Sequence, residues 1–271
     1  SLRQSFEKLN IELVELEDWY CCGATPAHMT SRLLAAALPI DTLILAEKTG
    51  LDMVAPCAAC FNRLRVSIHE IESDPTLGKE LEEVIGDKFR GEVEVKHPLE
   101  VLAKDFGLER LSSAVVRRLE GLRVACYYGC LMVRPPKVMK FDDDEDPTMM
   151  DVLIDAIGAE PVLWYHKVAC CGATLGLTKA DSLVRLSSEI LRASIYAGAD
   201  CIAVACPLCQ SNLDLHQDEM SEIMCREMVV PILYFSQLLG LSLGCSPESI
   251  GLDRHIVSPR PLLERFFPTE G

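Results

Sequence analysis

The sequence predicts an α/β protein of two similar units, and three observations carry that prediction. A five-residue phrase occurs twice, four cysteines recur at one fixed spacing, and apolar runs of strand and helix length alternate along the chain. The phrase is Cys-Cys-Gly-Ala-Thr, at residues 21–25 and 170–174. Cys170 lies 149 residues after Cys21, and Cys171 lies 149 after Cys22. The Cys-x-x-Cys pairs Cys57/Cys60 and Cys206/Cys209 repeat that offset. Four cysteines in one register mark an internal duplication, with a first unit over residues 1–120 and a second over 121–271.

The elements follow in order. Residues 11–16 alternate toward a short strand before the first Cys-Cys pair, and residues 161–164 do so before the second. Residues 31–48 and 179–197 carry apolar side chains at helical spacing and stop at Gly50 and Gly198. Short β-rich runs at 51–56 and 201–205 then deliver each Cys-x-x-Cys at the start of a further helix. Residues 93–96 and 231–235 close the units as strands. Residues 123–128 read as a buried strand ending in Gly129-Cys130, where the glycine permits a tight turn. Strand alternating with helix gives two Rossmann-like βα units with parallel sheets. Cysteines at the carboxyl ends of the strands would converge in space there.

Composition narrows the class. With 49% hydrophobic residues in 271, the chain can bury a core without staples. Thirteen cysteines exceed what a routine enzyme carries, and they are too dilute for a disulfide scaffold. No leader pattern stands at Ser1, and no apolar run reaches the roughly 18 residues of a membrane span. The expectation is a cytoplasmic, reducing setting in which clustered cysteines serve metal or redox chemistry. A net charge of −15 argues against nucleic acid. The acidic run at 141–147 lacks the glycine and terminal glutamate of a calcium loop, and Asp146 is expected to cap the helix that follows.

Cys130, Cys170, Cys171, Cys206 and Cys209 make five thiols in the second unit; Cys21, Cys22, Cys57 and Cys60 make four in the first. The counterpart of Cys130 would lie before Ser1. The expectation is therefore a natural chain that begins about 20 residues upstream and carries that strand and cysteine. The alternative is a four-cysteine first site with a different metal, zinc in particular. For the ligand itself, zinc suits two cysteine pairs, and a thioredoxin-type couple suits the Cys-x-x-Cys pairs alone. An iron–sulfur cluster suits the whole set best, because a multi-iron core offers several points of thiolate attachment.

The phrases Val124-Ala-Cys-Tyr-Tyr-Gly-Cys130, Cys170-Cys-Gly-Ala173 and Cys206-Pro-Leu-Cys-Gln-Ser-Asn-Leu213 carry a resemblance over nearly the whole chain. It resembles the duplicated CCG domain, and more closely the B subunit of heterodisulfide reductase. The resemblance implies two noncubane four-iron, four-sulfur (4Fe-4S) clusters, one on Cys130, Cys170, Cys171, Cys206 and Cys209. The other would sit on Cys21, Cys22, Cys57 and Cys60 with the upstream cysteine. It also implies a catalytic role in reducing a disulfide, such as that of coenzymes M and B, by homolytic cleavage between the clusters. The implied partners are the cubane-cluster C subunit and the flavin-bearing A subunit of such a reductase, with a membrane cytochrome as another electron source. A CCG-type electron-transfer subunit serving a different acceptor is the alternative.

Other residues carry less. His166 and Lys167, just before Cys170, could set a cluster potential or guide an anionic substrate, or form an exposed loop pair. Arg134, one turn after Cys130, is a candidate substrate-facing cation. Cys126, Cys201, Cys225 and Cys245 fall outside the repeat and read as buried apolar residues. No glycine-rich dinucleotide fingerprint is present, so electrons are expected from another protein.

Overall fold

Residues 1–176 and 178–266 are described by the structure, a computed structural model; position 177 and the end of the second expected unit, residues 267–271, lie outside it. The chain forms two compact units whose segments interleave. One comprises Val14–Pro98 and Leu131–Phe141; the other comprises Ser1–Leu13, Leu99–Cys130 and the chain from Asp142 onward. The division thus departs from a single cut at residue 120, and packing gives the reason. Phe141 sits edge-on to Phe61 and His97. Buried Asn62 donates to the carbonyls of Leu131 and Arg134 at 3.0 and 2.6 Å. In the other unit, the N-terminal helix Leu2–Lys8 buries Phe6, and Ser5 Oγ donates to Ser236 O at 2.9 Å. The start of the chain therefore packs on the helix Phe235–Ser242.

The smaller unit holds a two-stranded parallel pair, β1 (Met53–Val54) with β2 (Val95–Lys96). Two residues of each expected strand pair, and the rest of both runs is irregular. The helix Arg32–Glu47 starts at Ser31, whose Oγ accepts from Leu34 N at 3.0 Å. The helix Ala58–Ser73 starts at Cys57. Residues 11–16 form no strand: Val14 is exposed, and the alternation has no sheet face to bury.

The larger unit is organised by four parallel strands, β3 (Arg123–Tyr127), β4 (Glu160–Pro161), β5 (Cys201–Val204) and β6 (Ile232–Tyr234), in the order β4-β3-β5-β6. Val124 stands opposite Cys201, and Tyr127 opposite Val204. All four residues of β5, and all but the first of β3, are buried, as central parallel strands require. β4 is shorter than expected because Pro161 lies on the sheet edge; Val162 N makes one more bond, to Val124 O, before the chain turns away. The helix Ala180–Tyr196 connects β4 to β5, as the periodicity of 179–197 predicts. Among the described residues no helix is long and apolar enough to cross a membrane.

Candidate metal centre

β3 runs on to β4 at one side, and β5 runs on to β6 at the other. Their connections diverge, and the carboxyl ends of β3 and β5 flank the crevice where open parallel sheets collect ligands. Cys130 opens the short helix Cys130–Val133 just past β3. Cys206, just past β5, is the N-cap of the helix Pro207–Leu215, and Cys209 sits in that helix's first turn. A Cβ on Gly129 would stand 3.0 Å from Cys209 Sγ, so the missing side chain lets the end of β3 approach that thiol.

The loop that carries Cys170 is stitched to β3. Tyr127 Oη donates to Ala169 O at 2.7 Å, and Trp164 Nε1 donates to Cys126 O at 3.1 Å. Tyr128 N and Gly129 N both donate to Lys167 O. The adjacent cysteines then part company. Cys171 turns inward, its sulfur 3.6 Å from that of Cys209, while the exposed Cys170 meets Cys130. Gly172 makes this divergence possible with φ +75°; a Cβ there would lie 2.9 Å from the Leu183 Cα. Gly172→Ala is expected to cost about 1–3 kcal/mol, read as a lower urea midpoint at unchanged m-value.

The first cysteine set repeats these local features within its own unit. Gly23 has φ +74°, Cys21 is exposed, and Cys22 is buried. Cys22 Sγ lies 3.3 Å from Cys60 Sγ. Cys57 is the N-cap of its helix with φ −145° and ψ 122°, against −137° and 127° at Cys206. The buried cysteine of each Cys-Cys pair meets the second cysteine of its Cys-x-x-Cys.

In each close pair the hydrogen bond favours one thiol as the thiolate at the expense of its partner. The hydrogen bond with Cys60 holds Cys22 down at about 6 and pushes Cys60 up. Cys130 likewise holds Cys170 down at about 6, and Cys209 lowers Cys171. One member of each pair is thus readied as a thiolate, the form that binds metal. In cluster-free protein, iodoacetamide is expected to label Cys170 at pH 7 well before Cys201, whose thiol burial pushes up. Labelling of Cys170 should fall away below pH 6, as peptide mass spectrometry would read.

The donor set is all sulfur, which suits a thiolate-held cluster. Among the described residues no three Cys, His, Asp or Glu side chains already form a cage for one ion. The thiols meet in pairs, whereas tetrahedral zinc draws four ligands to one point. A cavity of about 330 Å³ lined by Gln210, Tyr234, Gln237, Arg254 and His255 has no cysteine in its wall.

The secondary candidates are placed as follows. Lys167 is buried, which removes the exposed-loop reading: Nζ bonds Asp146 Oδ1 at 2.8 Å, Asp151 Oδ1 at 3.0 Å and Pro147 O at 3.0 Å. His166 is half-buried and stacks on Trp164. Arg134 falls beyond the short helix Cys130–Val133, so it is not one turn along from Cys130; it is exposed, and its carbonyl accepts from Asn62. Asp146 does not cap the next helix. Asp142 Oδ2 accepts from Thr148 N and Met149 N instead, leaving Asp146 to Lys167. Cys126, Cys201 and Cys245 are buried, but Cys225 is exposed, in a left-handed turn after the helix Gln217–Ile223. Sequence reasoning missed Arg63 and Asn212, each three residues past a Cys-x-x-Cys; the 149-residue register pairs them and could have exposed both.

Fold and thiols together define a cysteine-rich protein with two Cys-Cys-Gly turns. The chain belongs to the CCG cysteine-rich domain family, which matches residues 1–65 and 124–214. It is 32% identical to the B subunit of the ferredoxin:CoB-CoM heterodisulfide reductase of Methanosarcina mazei, over 96% of this chain and 89% of that one. It is 33% identical, with the same coverage, to the B subunit of the ferredoxin/F(420)H(2)-dependent CoB-CoM heterodisulfide reductase of Methanosarcina acetivorans. It is 31% identical to the 8-methylmenaquinol:fumarate reductase membrane anchor subunit of Wolinella succinogenes, over 94% of this chain and 89% of that one. A crystal structure of a hypothetical protein from Helicobacter pylori shares the fold with a TM-score of 0.75 at 14% identity, covering 95% of this chain and 49% of that one.

Proposed function

We propose that the chain is the iron–sulfur subunit of a heterodisulfide reductase-type complex and reduces a disulfide to two thiols. The observation that carries this reading is the thiol geometry found at both cysteine sets, 3.3 Å between Cys22 and Cys60 and 3.6 Å between Cys171 and Cys209. Cys130, Cys170, Cys171, Cys206 and Cys209 would hold one noncubane 4Fe-4S cluster. Cys21, Cys22, Cys57 and Cys60 would hold the other, or zinc if that set is structural. The reaction takes two electrons and two protons per disulfide, and bound clusters would supply one electron each. Residues of this chain do the rest. The hydrogen bond within each pair lowers the cost of presenting one thiolate. Buried Cys171, Cys206 and Cys209 keep the second site dry on its inner side, while Cys170 faces outward. Tyr127 and Trp164 fix the loop that bears Cys170.

Electrons would come from a cubane-cluster C subunit and a flavin-bearing A subunit, in the cytoplasm. A second reading has support in the similarity to the Wolinella succinogenes protein: the chain would pass electrons to another acceptor without cleaving a disulfide.

Anaerobic iron, sulfide and zinc analysis, with EPR of the oxidised protein with and without thiols, tests the proposal. About eight irons per chain and a thiol-dependent signal are expected. About four irons with one zinc would make the first site structural. Zinc without iron would overturn the proposal. Full iron loading without disulfide turnover in the complex would favour the second reading.

A further inference from the structure

The two cysteine sets share a register but not their electrostatics. Arg63 and Asn212 occupy equivalent places 149 residues apart. Each lies three residues beyond the second cysteine of its Cys-x-x-Cys, on the helix face that carries that cysteine. Arg63 is anchored: Nη2 donates to Asn62 Oδ1 at 2.8 Å, and Nη1 lies 3.3 Å from His28 Nδ1. In the second set, Asn212 Nδ2 donates to Cys171 O at 3.2 Å and approaches Cys171 Sγ at 3.6 Å. A permanent cation is thus replaced by a neutral amide.

Cluster potentials follow net charge, hydrogen bonds to sulfur and solvent exposure. A reduced cluster carries one more negative charge, which a nearby cation favours. Glu70, two turns along from Arg63, opposes this, and so does the amide bond to Cys171. A full charge one helical turn past Cys60 acts over a longer range than the neutral amide dipole at 3.6 Å from Cys171.

We propose that Arg63 sets the order of reduction: a cluster on Cys22 and Cys60 has the higher potential and takes up the first electron, delivered by a one-electron donor protein, before one on Cys171 and Cys209. This rests on the iron–sulfur reading above. Arg63 acts through the cluster and is a positioning residue for charge.

The test is EPR-monitored redox titration of the full chain in its complex. Cys60→Ser and Cys209→Ser assign each signal to its set. The first set is expected to have the higher midpoint. Arg63→Asn should lower that midpoint by roughly tenfold in reduction equilibrium, about 59 mV for one electron. Arg63→Lys should preserve it, and Asn212→Arg should raise the second. Loss of mere structure would drop iron content and would not shift one midpoint alone. Equal midpoints, a reversed order, or an unmoved first midpoint in fully loaded Arg63→Asn overturns the inference and leaves the proposed function standing. A preparation without iron and sulfide overturns the proposed function and this inference with it.

Discussion

Cys206→Ser is expected to fold like the parent protein, lose the cluster on the second set and lose disulfide reduction. Cys206 is the N-cap of the helix Pro207–Leu215 and is buried past the end of β5. Serine is a preferred N-cap residue, so the helix start is kept or strengthened. Thiolate donation is what disappears. Altering a group that merely supports a ligand typically costs 10–100-fold in metal affinity or activity. Losing a ligand should exceed that, so turnover is expected to fall by more than about a hundredfold. Iron content should drop by about half, with the circular dichroism spectrum and urea midpoint of the cluster-free protein unchanged. Undiminished turnover would remove this cysteine from the site. An unfolded variant would instead show that Cys206 is needed for packing.

Lys167→Met is expected to destabilise the cluster-free protein by about 3–5 kcal/mol, the usual cost of removing one partner of a buried ion pair. Methionine fills much of the same space, so the loss is electrostatic. Asp151 would be left with Tyr128 Oη, which donates to it at 2.6 Å, and no cation. Burial already raises the Asp151 pKa, and the bonds from Tyr128 and Lys167 offset only part of that. Burial also pulls down on Lys167, but its bonds to Asp146 and Asp151 outweigh it and leave the pKa raised above 10.5. A raised lysine pKa contributes stability that is fully present below 10.5 and lost as pH climbs through the folded value. The gap between parent and variant should therefore hold through neutral pH and close above about pH 10.5. It should also narrow in acid, where the orphaned Asp151 takes up a proton. Urea denaturation across pH reads both limbs. A pH-independent gap would mean that packing, not charge, is what the variant lost.

The central strands are legible because burial on both faces leaves a continuous apolar run; Val124–Tyr127 and Cys201–Val204 need no alternation to declare themselves. Residues 11–16 show the converse. Alternation alone does not make a strand when no neighbouring edge receives it. The helix cap escapes sequence reasoning for a related reason. Asp142 and Asp146 are equally good acceptors, and only the fold of the acidic loop decides which one meets Thr148 N and Met149 N. At the candidate site, spacing names the recurring cysteines, but it does not say which sulfur meets which. That depends on the left-handed turns at Gly23 and Gly172, which send neighbouring thiols in different directions. The burial of Lys167 is not legible in the sequence because its partners, Asp146 and Asp151, sit in a loop and a helix whose approach no local pattern encodes.

Emerging from the ribosome, residues 1–13 must wait for the helix Phe235–Ser242, on which the helix Leu2–Lys8 packs. At ordinary rates of translation that wait is on the order of ten to forty seconds. The smaller unit waits less, because its last segment, Leu131–Phe141, leaves the tunnel about a hundred residues sooner. Maturation therefore has a built-in schedule. The smaller unit is complete when Phe141 is free, while the larger one, with Phe6 still unburied, stays incomplete until the helix Phe235–Ser242 has emerged.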